Sequence, residues 1–118
     1  MNPIVEEPLC GDLIDAECLR EYRDDIRHAI RGVWDDTRCL ESHGGGAEYL
    51  RRIKLFAHQT AGSAGTYGFH GASQYARSLD ALAAELISGR HRVNGAATGR
   101  IMVLLRALER EIGLRPSI

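Results

Sequence analysis

The chain has 118 residues, 44% of them hydrophobic, which is enough for one core and too few to divide comfortably between two domains. Its 15 Lys+Arg against 16 Asp+Glu give a formal net charge of -1, so composition makes no general case for nucleic-acid binding, and a charged binding surface has to be local. Cys10, Cys18 and Cys39 are odd in number and lack metal-ligand spacing. With no secretory signal and no apolar run long enough to span a bilayer, the chain reads as a soluble cytoplasmic protein without membrane insertion.

The first stretch is polar and contains Pro3 and Pro8, so residues 1–12 read as a flexible or partly ordered segment with room for a short extra helix. Asp15 then offers a cap for a helix running to about Cys39, with Leu19, Tyr22, Ile26, Ala29, Ile30, Val33 and Trp34 on its inward face. Ser42-His43-Gly44-Gly45-Gly46 ends that segment, and a second helix starts near Ala47 and turns Leu50, Ile53, Phe56, Ala57, Thr60 and Ala64 toward the core. Gly65-Thr66-Tyr67-Gly68 marks a turn or helix end. A third helix carries Phe69, Ala72, Tyr75, Ala76, Leu79, Leu82, Ala83 and Leu86 and stops at Ser88-Gly89. After the basic connection Arg90-His91-Arg92, a fourth reads through Ile101, Leu104, Leu105, Leu108 and Ile112 to Gly113, leaving 114–118 as a tail. Strand alternation and internal repeats are missing, so residues 13–113 are expected to form an all-α, antiparallel four-helix bundle.

The chemistry concentrates around His58. If the second segment is helical, Gly62 at i+4 and Gly65 at i+7 share the face of His58, while Phe56, Ala57, Thr60 and Ala64 turn inward, so the imidazole faces solvent. Each interior glycine costs about 0.5–1 kcal/mol relative to alanine, so their placement needs a reason. Close approach by a partner is one such reason, and tight packing against a neighbouring helix is another.

The run His58-Gln59-Thr60-Ala61-Gly62-Ser63-Ala64-Gly65-Thr66-Tyr67-Gly68-Phe69 resembles the signature of histidine-containing phosphotransfer (HPt) domains, close to H-x-x-K-G-S-A-G-x-x-G-hydrophobic. The resemblance implies an HPt-like bundle with one exposed histidine that relays phosphoryl groups to or from aspartates of response-regulator receiver domains, in a two-component phosphorelay. It makes His58 the phosphoacceptor, Gly62 the residue that gives a receiver room, and Gly65 and Gly68 the small positions that shape the turn. It also implies a polar residue on the next helix holding the other ring nitrogen, for which Asp80 is the candidate and Gln74 and Arg77 are neighbours; Asp80 as a solvated surface carboxylate is the competing reading. Implied partners are receiver domains and a hybrid histidine kinase. No cofactor is implied for this chain, because Mg²⁺ belongs to the receiver.

The run departs from the signature at Ala61, where the family commonly has lysine. Lys54 at i-4 and Arg51 at i-7 from His58 lie along the same helical stripe and offer replacement charge, as does Arg77 at a docking surface. His28, His43, His70 and His91 are too scattered for a metal motif. Neither a substrate pocket nor a nucleotide-binding loop is evident, so the expectation is a monomeric phosphocarrier without kinase activity of its own. Met1 suits a free protein. The alternative is a helical interaction module that binds receiver or kinase domains without accepting phosphate, which the Ala61 departure favours.

Overall fold

The computed structural model describes residues 15–43, 46–89 and 92–114, with the backbone alone at His43. The expected N-terminal segment 1–12 with its short helix, Cys10, Gly44, Gly45, the Arg90-His91 part of the basic connection and residues 115–118 lie outside the described residues. Among the described residues the chain is all-helical, with α1 at Ala16–His43, α2 at Ala47–Thr66, α3 at His70–Ser88 and α4 at Gly95–Ile112, and no strand.

Helix ends fall where the local chemistry puts them. The Asp15 carboxylate accepts the Cys18 N–H at 2.8 Å, and the Asn94 side chain accepts the Ala97 N–H at 2.9 Å, so α1 and α4 each start on a side-chain cap. α2 ends in a Schellman turn. Gly68 adopts φ 88° while its N–H meets the Gly65 carbonyl at 3.1 Å, and the Phe69 N–H meets the Ala64 carbonyl at 2.8 Å. Gly89 and Gly113 close α3 and α4 with the same left-handed backbone. α1 continues past the expected end at Cys39 to His43, because Thr37 and Leu40 extend the buried stripe of Ile30, Val33 and Trp34 by another two turns.

α1 packs against α2 and α4, and α3 packs against the same two helices, so the four elements close around one bundle core. Ile30, Trp34, Leu40, Ile53, Leu79, Ile101, Leu105, Leu108 and Ile112 are its largest apolar members. Each such side chain taken from water contributes about 1.5–3 kcal/mol. Leu114 is buried too, so the core reaches one residue past the boundary expected at 113. Ala29 and Tyr75 were expected inside and are exposed, since the stripes through Ile26 and Ile30 and through Ala72, Ala76 and Leu79 leave them on the outer edge.

The α2–α3 interface is the most extensive in the bundle and carries the site. Small buried residues line both helices, Ala57 and Ala64 on α2 and Ala72, Ala76 and Ala83 on α3, which lets the two backbones come close. The Ser73 hydroxyl of α3 donates to the Ala61 carbonyl of α2 at 2.6 Å.

Candidate functional site

His58 stands on the outer edge of α2 with its side chain 74% exposed. The buried residues Phe56, Ala57 and Thr60 flank it in sequence, so helical geometry alone turns it outward. Across the α2–α3 interface Asp80 meets it, with Oδ2 3.2 Å from Nδ1. The other carboxylate oxygen, Oδ1, lies 3.0 Å from Lys54 Nζ. One carboxylate of α3 therefore bridges an ammonium and an imidazole that sit one turn apart on α2.

The charge state of Asp80 fixes the chemistry of the ring. Partial burial by itself would raise its carboxyl, but hydrogen bonds from Lys54 and His58 and the positive charge of Lys54 outweigh burial and hold it below the ordinary carboxylate range. An ionised carboxylate only accepts, so Nδ1 carries the proton in this contact. In the neutral ring Nε2 then holds the lone pair, and it is the nitrogen left to meet an electrophile in solvent.

Gly62 is exposed, and a Cβ built there would meet nothing within 4 Å. Intramolecular close packing therefore does not explain this glycine, and the position one turn from His58 on the same face carries no side chain. Gly65 is half-buried, and its Cβ would make only ordinary contact with Ser73 Oγ at 3.8 Å. Gly68 is different, because its positive φ is a backbone requirement of the turn that ends α2.

N-terminal to the ring, Arg51, Lys54, Leu55 and His58 line an open depression of about 310 Å³. Both cations expected beside the histidine are thus on its rim, together with Leu55, which is 57% exposed. Ala61 is half-buried against the core. Gln74 and Arg77 are exposed on α3, and neither has a hydrogen bond or ion pair to His58 among the described residues.

Three residues important to the site's framework carry little sequence signal. Ser73 pins the Ala61 carbonyl, Tyr22 of α1 shares a 2.8 Å hydroxyl contact with Ser63, and Tyr67 stacks on Tyr22 with ring centroids 4.1 Å apart. Only the conjunction of Tyr22 on the inward stripe of α1 with Tyr67 and Phe69 at the end of α2 hints at an aromatic cluster. The glycine-containing stretch 61–65 is held on one side by α1 and on the other by α3.

Comparison with protein-family models, with curated proteins and with solved structures gave no match. No helix among the described residues is long and apolar enough to cross a membrane.

Proposed function

We propose that this chain is a histidine phosphotransfer protein, a cytoplasmic monomer whose antiparallel HPt-like bundle relays phosphoryl groups to or from the aspartates of response-regulator receiver domains. The observation that carries this reading is an exposed imidazole whose Nδ1 is engaged by Asp80, on a face that Gly62 leaves open. Such a group is a poised nucleophile beside an open depression rather than inside an enclosed cleft, which suits a reaction whose second half is supplied by a docking partner.

In the proposed step, the Nε2 lone pair attacks phosphorus in a receiver phosphoaspartate. The N–P bond forms as the acyl O–P bond breaks, and the aspartate leaves as carboxylate with Mg²⁺ held on the receiver. Because Nδ1 keeps its proton, the phosphorylated ring becomes cationic, and Asp80 stabilises that charge. The reverse sequence loads a second aspartate.

The test is phosphoryl transfer from a panel of phosphorylated receivers with Mg²⁺, following acid-labile, base-stable protein phosphate in the wild type and in His58→Gln. Transfer to the wild type and none to the folded variant is the expected result. Ala61, in place of the lysine of the resembling signature, favours a second reading, an interaction module for receiver or kinase domains. Receiver binding without transfer across a competent panel would establish that one instead.

A further inference from the structure

The side of His58 toward the start of α2 is built differently from the side toward its end. Toward the end lie Ala61, half-buried with its carbonyl taken by Ser73, and Gly62, which has no side chain. Toward the start lie Lys54 and Arg51, one and two turns away, and together with Leu55 they form the depression that reaches the ring. Lys54 is also fixed in place, because its ammonium contacts the same carboxylate that engages the imidazole, Oδ1 at 3.0 Å and Oδ2 at 3.2 Å respectively. It is 40% exposed, and an ammonium has three donors, so the Asp80 contact leaves donors for a second anion.

We propose that this depression is the oxyanion subsite for a phosphoryl group carried on Nε2 of His58, with Lys54 as the principal cation and Arg51 as the outer one. The assignment rests on the phosphotransfer reading of His58 and adds to it the groups that hold the phosphate. A phosphoryl group brings close to two negative charges to the edge of a ring whose other edge already faces a carboxylate. The single positive charge of the phosphorylated ring offsets only part of the resulting repulsion, and a second cation beside the phosphoryl oxygens offsets more. Lys54 lies beside both, so it offsets the incoming charge without giving up Asp80, and the carboxylate keeps it positioned before phosphate arrives. Arg51 presents a planar guanidinium suited to two phosphoryl oxygens at once.

The experiment loads the ring without any partner protein, using phosphoramidate. Nε2 attacks phosphorus, the new N–P bond forms, the old one breaks, and ammonia leaves. The ³¹P resonance of the phosphohistidine is then titrated with pH in the wild type, Lys54→Gln, Lys54→Arg, Arg51→Gln and Arg77→Gln, with circular dichroism confirming that each is folded. Nearby cations favour the dianionic phosphoryl group, so Lys54→Gln is expected to raise its midpoint by about 0.5 pH unit, and added salt is expected to shrink the difference. Lys54→Arg restores most of the wild-type midpoint, Arg51→Gln gives a smaller rise, and Arg77→Gln leaves it in place. A midpoint unmoved in Lys54→Gln and in Arg51→Gln overturns the subsite, and a rise confined to Arg77→Gln overturns it in favour of the α3 side. A wild-type chain that takes no phosphoryl group at His58, from phosphoramidate or from any receiver, overturns the phosphotransfer reading itself. That failure is distinct from an unmoved midpoint, since it leaves no phosphohistidine resonance to titrate.

Discussion

His58 Nδ1 and Asp80 Oδ2 face each other at 3.2 Å across the α2–α3 interface, although 22 residues and a helix end separate them in the chain. Removing the carboxylate leaves the ring free to rotate and to exchange tautomers. A hydrogen bond to a charged group contributes about 1.5–3 kcal/mol when buried, and exposure of the ring screens this to about 0.7–1.4 kcal/mol. Asp80→Ala is therefore expected to slow transfer from a phosphorylated receiver about 3- to 10-fold, with Asp80→Asn falling between it and the wild type. ¹⁵N spectra of the imidazole provide the independent check, since Asp80→Ala should lose the preference for the Nδ1–H tautomer while His58 remains exposed.

The same pair sets a pH dependence. Burial works against the Asp80 charge and the contacts with Lys54 and His58 work for it, with the net effect that its carboxyl lies below the ordinary range in the folded state. A depressed folded value means that the unfolded chain binds the proton more readily, so the contribution to stability is present above the unfolded value and disappears as pH falls through the folded one. Urea unfolding of the wild type and Asp80→Asn across the acid range is expected to show a stability difference at neutral pH that closes as the carboxyl protonates. A difference that persists unchanged into strong acid would rule out this source.

Gly62 and Gly68 should separate conformational need from access. Gly62 lies inside α2 with open space where a Cβ would stand, so Gly62→Ala is expected to stabilise the bundle by about 0.5–1 kcal/mol. Gly68 holds φ 88°, where a Cβ meets the following carbonyl, and Gly68→Ala is expected to destabilise by about 1–2 kcal/mol. Gly62→Gln should fold at least as well as the wild type and yet transfer phosphate poorly, because its side chain covers the approach to the ring. Denaturant midpoints alongside transfer rates from one receiver decide the matter, and a Gly62→Gln variant with unimpaired transfer would show that the open surface is not a docking path.

Much of this arrangement is legible in the sequence because it depends on local rules. Gly68, Gly89 and Gly113 end helices where positive φ is required, Asp15 caps α1, and the spacing of Leu50, Ile53, Phe56 and Ala57 puts His58 outside. The extension of α1 to His43 was missed because Ser42 and His43 have no strong helical preference, while Leu40, 1% exposed, anchors the last turns through tertiary burial. Alanines were the weakest guides, as Ala29 shows, since their small apolar area suits either face. The orientation of Asp80 depends on how α3 is rotated against α2, and that follows from many small packing contacts with no local sequence signature. Glu109 was missed for a similar reason. A buried carboxylate accepting the Trp34 indole N–H at 3.2 Å joins residues on α4 and α1 that only the closed bundle brings together.

Tyr22 links α1 to the end of α2 through two separable interactions, the contact of its hydroxyl with Ser63 Oγ at 2.8 Å and the stack of its ring on Tyr67 at 4.1 Å. Tyr22→Phe removes the first and keeps the second, so a loss of about 0.5–1.5 kcal/mol is expected. Tyr22→Ala removes both along with the buried ring, and a loss of about 3–5 kcal/mol follows from large-to-small truncation. A double-mutant cycle with Ser63→Ala isolates the hydroxyl contact, and a coupling energy near zero would show that the two groups merely lie side by side. Burial of the ring raises the Tyr22 phenol above its ordinary value, the bond with Ser63 opposes that rise, and Tyr67 adds to it. The folded state thus retains the proton longer than the unfolded chain. The stabilisation from the neutral phenol is complete below the unfolded value and is lost as pH rises through the folded one. Alkaline unfolding curves are therefore expected to be shallower for Tyr22→Phe than for the wild type, with the two converging at high pH. Parallel curves would place the alkaline transition on another group.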